Sequence, residues 1–384
     1  MNRLRIGLVY DALWPVVRGG AERRYHEVAR RLAQRHDVTL ITWRWWDGPQ
    51  RIVRDDGVHL HGLGPAPALY GADGKRRVAE VAAFALRLVP TLLARRFDVV
   101  EVPSTLIAPL WATAATAAVR RTPLVAMWHE IWAEHWTEYL PDRPLVAALA
   151  RRAEAASLRL GTVMVTGSAF TAGLLGAPAG SDRLRIIPNG TPLEEIAAAR
   201  PAADRVQVTY VGRLIDEKRI DLLIAALARL SPDVRAVIVG EGPERLRLET
   251  QALELGIAER VNFAGRLPPA ELYGRLRSSD LFVLPSVREG YGLVVREAQA
   301  SGAVPVVVRA PFSAAASLLI DGVDGLVSDP TVEGLSAAIA GLLADPARRA
   351  AMALSGKAAA ERESWAATAD ATEALYLELA ERGR

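Results

Sequence analysis

Cysteine is absent from all 384 residues. That excludes disulfide cross-links, thiolate nucleophiles and cysteine-ligated metals, and it accords with a reducing, cytoplasmic setting. A membrane-spanning run is lacking as well. The longest uncharged stretch, residues 102–119, contains Pro103, Ser104 and Pro109 and reads as a loop followed by a buried helix rather than a span. Residues 1–10 run straight into a strand-like pattern without the sections of a cleavable signal. Neither a G-x-G-x-x-G fingerprint nor a Walker lysine pattern occurs, which counts against dinucleotide oxidoreductases and P-loop ATPases. His59 and His61 stand two apart with no convergent carboxylates, so no metal site is expected. There is also no nucleic-acid-binding motif, short repeat or low-complexity tail.

What is present describes two ordinary globular domains. The apolar fraction is 51% and the charged fraction 24%, as in soluble proteins, and the length suffices for two cores. In the first half, apolar runs at 4–10, 38–42, 97–102, 124–127 and 161–166 read as strands. Segments 21–34 and 106–119 have helical spacing, and Ser168 marks a helix start. The second half repeats this grammar, with strands expected at 206–211, 234–239, 261–263, 281–284 and 304–308 and helices between them. Residues 322–327 read as a hairpin or short strand, 192–204 as a linker, and 365–379 as an amphipathic helix. Such alternation argues for an α/β class with parallel sheets covered on both faces.

Charge is divided unevenly. Residues 1–190 hold 25 Lys/Arg against 17 Asp/Glu, a balance of +8, and the remainder holds 22 against 27, a balance of −5. Basic pairs recur in the first half, among them Arg95-Arg96, Arg120-Arg121 and Arg151-Arg152. A positive first domain would attract an anionic membrane or a phosphorylated acceptor. A solvated helix surface in an arginine-rich chain is the plainer account.

The densest chemical signal is Glu289 to Glu297, E-G-Y-G-L-V-V-R-E. It follows the strand at 281–284 and a Pro285-Ser286 break, so Glu289 falls on a strand-to-helix loop and Glu297 about two turns into a helix. Loops at the carboxyl ends of parallel strands are where open α/β sheets bind ligands. Glycines there permit close backbone approach and leave helix N–H groups free for anions or sugar hydroxyls.

This segment resembles the E-G-[FY]-G-x4-E signature of the retaining glycosyltransferases of family 4 (glycosyl transferases group 1). Other segments resemble the family in the same order: Arg18-Gly19-Gly20-Ala21-Glu22, Ile187-Pro188-Asn189-Gly190, and Val211-Gly212-Arg213-Leu214 with Glu217-Lys218 and Ile220-Asp221. Arg219 departs from the pattern, standing where the family usually has glycine. The resemblance implies a GT-B fold, two Rossmann-like domains facing across a cleft. Residues 1–190 would form the acceptor-side domain and 191–364 the nucleotide-sugar domain, with 365–384 packing back on the first.

The implied activity is transfer of a sugar from a nucleoside diphosphate sugar, UDP or GDP, to an acceptor hydroxyl with retention of configuration. The acceptor would be a carbohydrate or lipid-linked glycan, and the setting the cytoplasm or the inner membrane face. No cofactor is implied beyond the nucleotide-sugar co-substrate. The D-x-D pattern of metal-dependent transferases is not evident, so fixed cations would replace the metal. Negative charge grows on the departing phosphate, and donors aimed there stabilise it. Arg213 and Lys218 suit that role, arginine as a planar fork and lysine as a compact charge. The resemblance places Glu289 near the donor sugar, Glu297 on the ribose hydroxyls, and the backbone of Gly290, Tyr291 and Gly292 on the sugar. Gly19 and Gly20 would approach the diphosphate, Arg266 would border the nucleobase, and His129 would touch the anomeric region.

Two aromatic groups remain. Trp128, Trp132 and Trp136 are four apart, with Tyr139 following, and would form one face if that segment is helical. They read as core packing or as an acceptor wall, and Trp43, Trp45 and Trp46 form a second cluster. The rival functions are a nucleotide-sugar epimerase, a phosphorylase, and a noncatalytic carbohydrate- or nucleotide-binding protein on the same scaffold.

Overall fold

The computed structural model describes residues 3–71, 76–176 and 181–382. The first two residues of the chain and the last two of segment 365–384 lie outside that set. The chain divides into two compact units, Met1–Pro188 with Trp365–Arg384, and Asn189–Ser364.

The first unit contains eight strands: β1 Arg5–Val9, β2 Asp37–Arg44, β3 Arg51–Val53, β4 His59–Pro65, β5 Val99–Pro103, β6 Leu124–Trp128, β7 Val163–Thr166 and β8 Leu184–Ile186. They form one sheet in the order β3-β4-β2-β1-β5-β6-β7-β8. Only the β3–β4 edge pair is antiparallel. Of the central strands, β5 and β6 are buried at every residue. A parallel sheet covered on both faces requires this, and their sequences provide it, apolar but for Glu101 on β5. Two helices were not anticipated from the sequence, Val78–Ala94 and Pro144–Ser157. The run at 102–119 departs from expectation too. Helix Ile107–Arg120 buries Leu110, Thr113 and Ala117 but leaves Trp111 and Val119 on the surface. No helix among the described residues is long and apolar enough to cross a membrane.

The C-terminal helix, Trp365–Arg382, packs on the helix Gly20–Leu32 of the first unit. Side-chain bonds hold it, among them three at buried or partly buried positions. Thr368 donates to the Pro188 carbonyl at 2.9 Å, Tyr376 donates to Glu101 at 2.6 Å, and Glu373 meets His36 Nε2 at 2.7 Å. Glu101 lies on buried β5, and burial raises its carboxyl pKa although the nearby Arg24 charge opposes the shift.

The second unit has a six-stranded parallel sheet ordered β11-β10-β9-β12-β14-β16. Its strands are β9 Val206–Val211, β10 Ala236–Val239, β11 Val261–Gly265, β12 Ser279–Leu284, β14 Val304–Val308 and β16 Leu326–Ser328. A separate parallel pair joins β13 Arg288–Glu289 to β15 Phe312–Ser313. The segment expected as a linker instead carries the helix Leu193–Ala198, whose Ile196 is buried in the core of this unit. Leu193 of the same helix packs against that core as well. Of the two readings of 322–327, hairpin or short strand, the structure has the strand: a tight turn leads into β16, which pairs in parallel with β14.

Candidate functional site

In the second unit, the loops after β9 and β12 are stitched together. The Val287 N–H donates to the Glu217 carbonyl at 3.1 Å. Lys218 Nζ reaches Glu289 Oε1 at 2.5 Å and the Arg288 carbonyl at 3.4 Å. Both Lys218 and Glu289 side chains are about 15% exposed, so the ion pair is only partly screened by water. Arg213 lies two residues beyond the end of β9, is exposed, and its guanidinium forms no hydrogen bond or ion pair among the described residues. Its carbonyl accepts from Tyr210 at 3.1 Å.

Glycine is required where two loops approach each other. A Cβ on Gly240 would lie 1.8 Å from the Gly212 carbonyl oxygen, and one on Gly242 would lie 2.1 Å from that of Leu214. The Gly240–Gly242 turn therefore supports the backbone on either side of Arg213. Arg219 has the left-handed φ of +48°. That conformation explains why a glycine suits the position, since a side chain there costs about 1–2 kcal/mol. Its guanidinium binds Asp221 at 3.1 Å.

Gly292, with φ +94°, caps the helix Leu293–Ser301. Glu297 is buried on that helix and accepts from Tyr273 at 3.3 Å. Tyr291 is more than a source of backbone contacts. Its ring is buried, and its hydroxyl donates to Glu363 at 2.7 Å and lies 3.3 Å from the Asn189 carbonyl. Burial, with the Glu363 charge added, raises its pKa. Glu363 also takes two bonds from Arg296, each of 2.8 Å, and Arg296 gives a third to Gln299 at 2.8 Å. Sequence reasoning passed over Arg296 and Glu363. Arg296 stands inside the signature but reads as a surface helix residue, and nothing in the sequence around Glu363 marks it. Arg266 follows β11, is exposed, and makes no hydrogen bond or ion pair among the described residues.

In the first unit, Gly19 and Gly20 begin the helix Gly20–Leu32 at the end of the β1 loop, and both are exposed. A Cβ on Gly19 would lie 2.3 Å from Glu22 Oε2, so this glycine makes room for a carboxylate folded back on the helix start. Burial raises the Glu22 pKa, and Tyr10 donates to it at 3.2 Å. His129 directly follows β6. Its ring makes an edge contact with Tyr25, and its buried Nε2 has no hydrogen-bond partner among the described residues. Burial, then the Arg24 charge, lowers its pKa to about 3, so the imidazole is neutral at physiological pH.

The tryptophan stripe is not a helical face. Trp128 is the buried last residue of β6, and the only helix in the stretch is His135–Tyr139. Trp132 and Trp136 still meet, tilted, at 4.9 Å, with Tyr139 edge-on to Trp132 at 4.6 Å. The second cluster is divided as well. Trp43 is buried against Phe84, and Trp45 and Trp46 donate to the carbonyls of Asp11 and Pro49.

Two α/β units of this kind, each built on a mainly parallel sheet, define the GT-B class. The chain shares this fold with sucrose-phosphate synthase from Thermosynechococcus elongatus, with a TM-score of 0.82 at 21% identity over 98% of this chain and 99% of the other. Residues 18–195 match Glycosyltransferase Family 4 and residues 194–359 match Glycosyl transferases group 1. The chain belongs to this glycosyltransferase family. It is 37% identical over 213 residues to a D-inositol 3-phosphate glycosyltransferase of Segniliparus rotundus, covering 50% of this chain and 46% of that protein. It is also 37% identical over 203 residues to a GDP-mannose-dependent alpha-(1-6)-phosphatidylinositol monomannoside mannosyltransferase of Mycolicibacterium smegmatis, covering 50% and 53%. The chain thus spans about half the length of the curated relatives it matches.

Proposed function

We propose that the protein transfers a sugar from a nucleoside diphosphate sugar to an acceptor hydroxyl with retention of configuration. The observation that carries this reading is the Lys218–Glu289 contact of 2.5 Å beside Arg213, which has no ion pair of its own among the described residues. Two cations in the segment that follows β9 suit the growing charge on a departing phosphate. In this reading Arg213 and Lys218 hold the diphosphate without a metal, and Glu289 steadies the donor sugar beside Lys218. The backbone of Gly290, Tyr291 and Gly292 holds the sugar hydroxyls, and Gly19 and Gly20 approach the diphosphate. Glu297 accepts from the ribose hydroxyls, and Arg266 borders the base. His129, neutral because burial depresses its pKa to about 3, contacts the sugar rather than removing a proton, and the departing phosphate takes the acceptor proton. Residues 191–364 then supply most of the donor contacts and residues 1–190 most of the acceptor contacts.

The named relatives favour a polyol or lipid-linked carbohydrate acceptor, and one of them favours GDP-mannose as donor. Calorimetry with UDP and GDP sugars, with and without magnesium, tests the reading. One nucleotide-sugar should bind without metal, and Glu297→Ala or Arg213→Ala should weaken binding or turnover at least tenfold, the scale of a lost charge-assisted contact of roughly 1.5–3 kcal/mol. Normal activity in both variants would refute the assignment. Binding with no transfer to any of a broad acceptor panel would favour the noncatalytic alternative, and interconversion of donor sugars without an acceptor would favour an epimerase.

A further inference from the structure

The first unit carries a surface that the proposed reaction does not use. Helices Val78–Ala94, Ile107–Arg120 and Pro144–Ser157 pack side by side. Trp111 Nε1 donates to Ser157 at 2.9 Å, and Arg120 donates to the Leu93 carbonyl. These contacts join the three helices into one face.

Its outward side is apolar. Leu86 and Leu93 on the first helix, Trp111 and Val119 on the second, and Leu145 and Leu149 on the third are between 39% and 86% exposed. The first helix also turns Ala79, Ala82, Pro90 and Ala94 outward, with Arg87 the charged residue among them. A folded soluble domain scatters exposed apolar side chains singly, whereas a contiguous patch marks an interaction site.

The charge around this face is predominantly positive. Residues 76–96, 107–121 and 143–159 contain eleven arginines and two glutamates. One of the glutamates, Glu154, is buried and accepts the backbone N–H groups of Trp132 and Ala133 at 2.9 and 2.7 Å. Arg77, Arg96, Arg121, Arg143, Arg152 and Arg159 are exposed and have no carboxylate partner among the described residues.

We propose that this three-helix face docks on an anionic lipid surface, inserting its leucines and Trp111 at the level of the headgroups while the arginines pair with lipid phosphates. The charge complementarity selects this occupant. Apolar helix faces bordered by basic residues lie in the plane of an anionic interface, and each arginine near the surface contributes roughly a fivefold factor in partition. A second copy of this face would bring two arginine sets together and be repelled. The docking is independent of the donor-site reading, because none of these residues belongs to that site.

The test is cosedimentation of the whole chain with vesicles of phosphatidylcholine alone, or of phosphatidylcholine mixed with phosphatidylglycerol. Binding to the anionic vesicles only, weakened by salt, is expected. Arg96→Glu with Arg121→Glu should lower the partition by roughly 25-fold or more, and Leu145→Ser with Leu149→Ser by about tenfold. Circular dichroism and nucleotide-sugar binding should stay unchanged in both. Leu246→Ser with Leu253→Ser, at exposed leucines of the second unit, should bind as the parent does. Failure to bind the anionic vesicles, equal binding to both vesicle types, or indifference to the leucine changes overturns the proposal. Light scattering that shows a dimer dissolved by Leu145→Ser with Leu149→Ser, together with no vesicle binding, assigns the face to a second copy instead.

Discussion

Glu363→Ala should be one of the most damaging single substitutions in the second unit, although Glu363 lies 66 residues from the end of the signature at Glu297. The carboxylate accepts two bonds of 2.8 Å from Arg296 and one of 2.7 Å from Tyr291. Arg296 is 7% exposed, and without Glu363 its guanidinium keeps only the Gln299 bond among those described. Removing one partner of a buried ion pair costs about 3–5 kcal/mol. The unit runs from residue 189 to 364, which is 176 residues, and for that size each kcal/mol lowers the midpoint by about 2–4 °C. The expected fall is therefore about 6–20 °C. All nine tryptophans belong to the first unit. Far-ultraviolet ellipticity should thus show the shift, and tryptophan fluorescence should show much less of it. Replacing both partners, Arg296→Met with Glu363→Leu, should recover most of the loss, because the cost lies in the stranded charge. A Glu363→Ala midpoint indistinguishable from the parent, or a double variant no better than the single one, would refute the reasoning.

Gly240→Ala should abolish folding of the second unit, since its Cβ would lie 1.8 Å from the Gly212 carbonyl oxygen. Gly322→Ala, at φ +77° in open space, should cost only about 1 kcal/mol, and similar expression and melting of the two variants would show that the loop contact is unimportant. Arg219→Gly should raise stability by about 1 kcal/mol by relieving the left-handed strain, less whatever the Asp221 bond contributes; a lower melting temperature would show that the ion pair outweighs the strain. His61 and His129 have pKa values lowered to about 4 and about 3, chiefly by burial, so the unfolded chain takes up protons first as pH falls. Their contribution is complete above pH 6.5 and is lost on acidification toward those values, on the order of 1–2 kcal/mol each at pH 5. The raised pKa values of Asp11, Glu22 and Glu101 act in the opposite sense, so the clean readout is the difference between the parent and His61→Gln, whose stability should fall less between pH 6.5 and 5.

The alternation of strand and helix was legible because parallel strands covered on both faces must be apolar throughout. Segments 206–211 and 304–308 coincide with β9 and β14. The helices Val78–Ala94 and Pro144–Ser157 were illegible for a related reason. A helix is read from the contrast between an apolar and a polar side, and the first has an apolar outer side as well as an apolar inner one, while the second buries little beyond Ala147, Glu154 and Ser157. The edge strand β3 and its neighbour β4 carry histidines, arginines and glycines, which carry no strand signal of their own; pairing of β4 with β2, and of β3 with β4, defines them. At the site, the Lys218–Glu289 contact joins residues 71 apart. Each residue could be named from its own segment, but their meeting depends on β9 and β12 being neighbours in the sheet.

The signature itself combines two tasks that a linear pattern does not separate. Glu289 turns toward Lys218, while Tyr291 and Arg296 turn inward to Glu363. The Val287 N–H fastens the same loop to the Glu217 carbonyl. The loop is thus held at both ends before any ligand arrives, and an arrangement held in advance loses less entropy on binding. A chain that kept both glutamates and the glycines but lost Arg296 and Glu363 would still match the pattern of ligand-facing residues. Its loop would have to be ordered by the donor itself, and its affinity would fall by that cost.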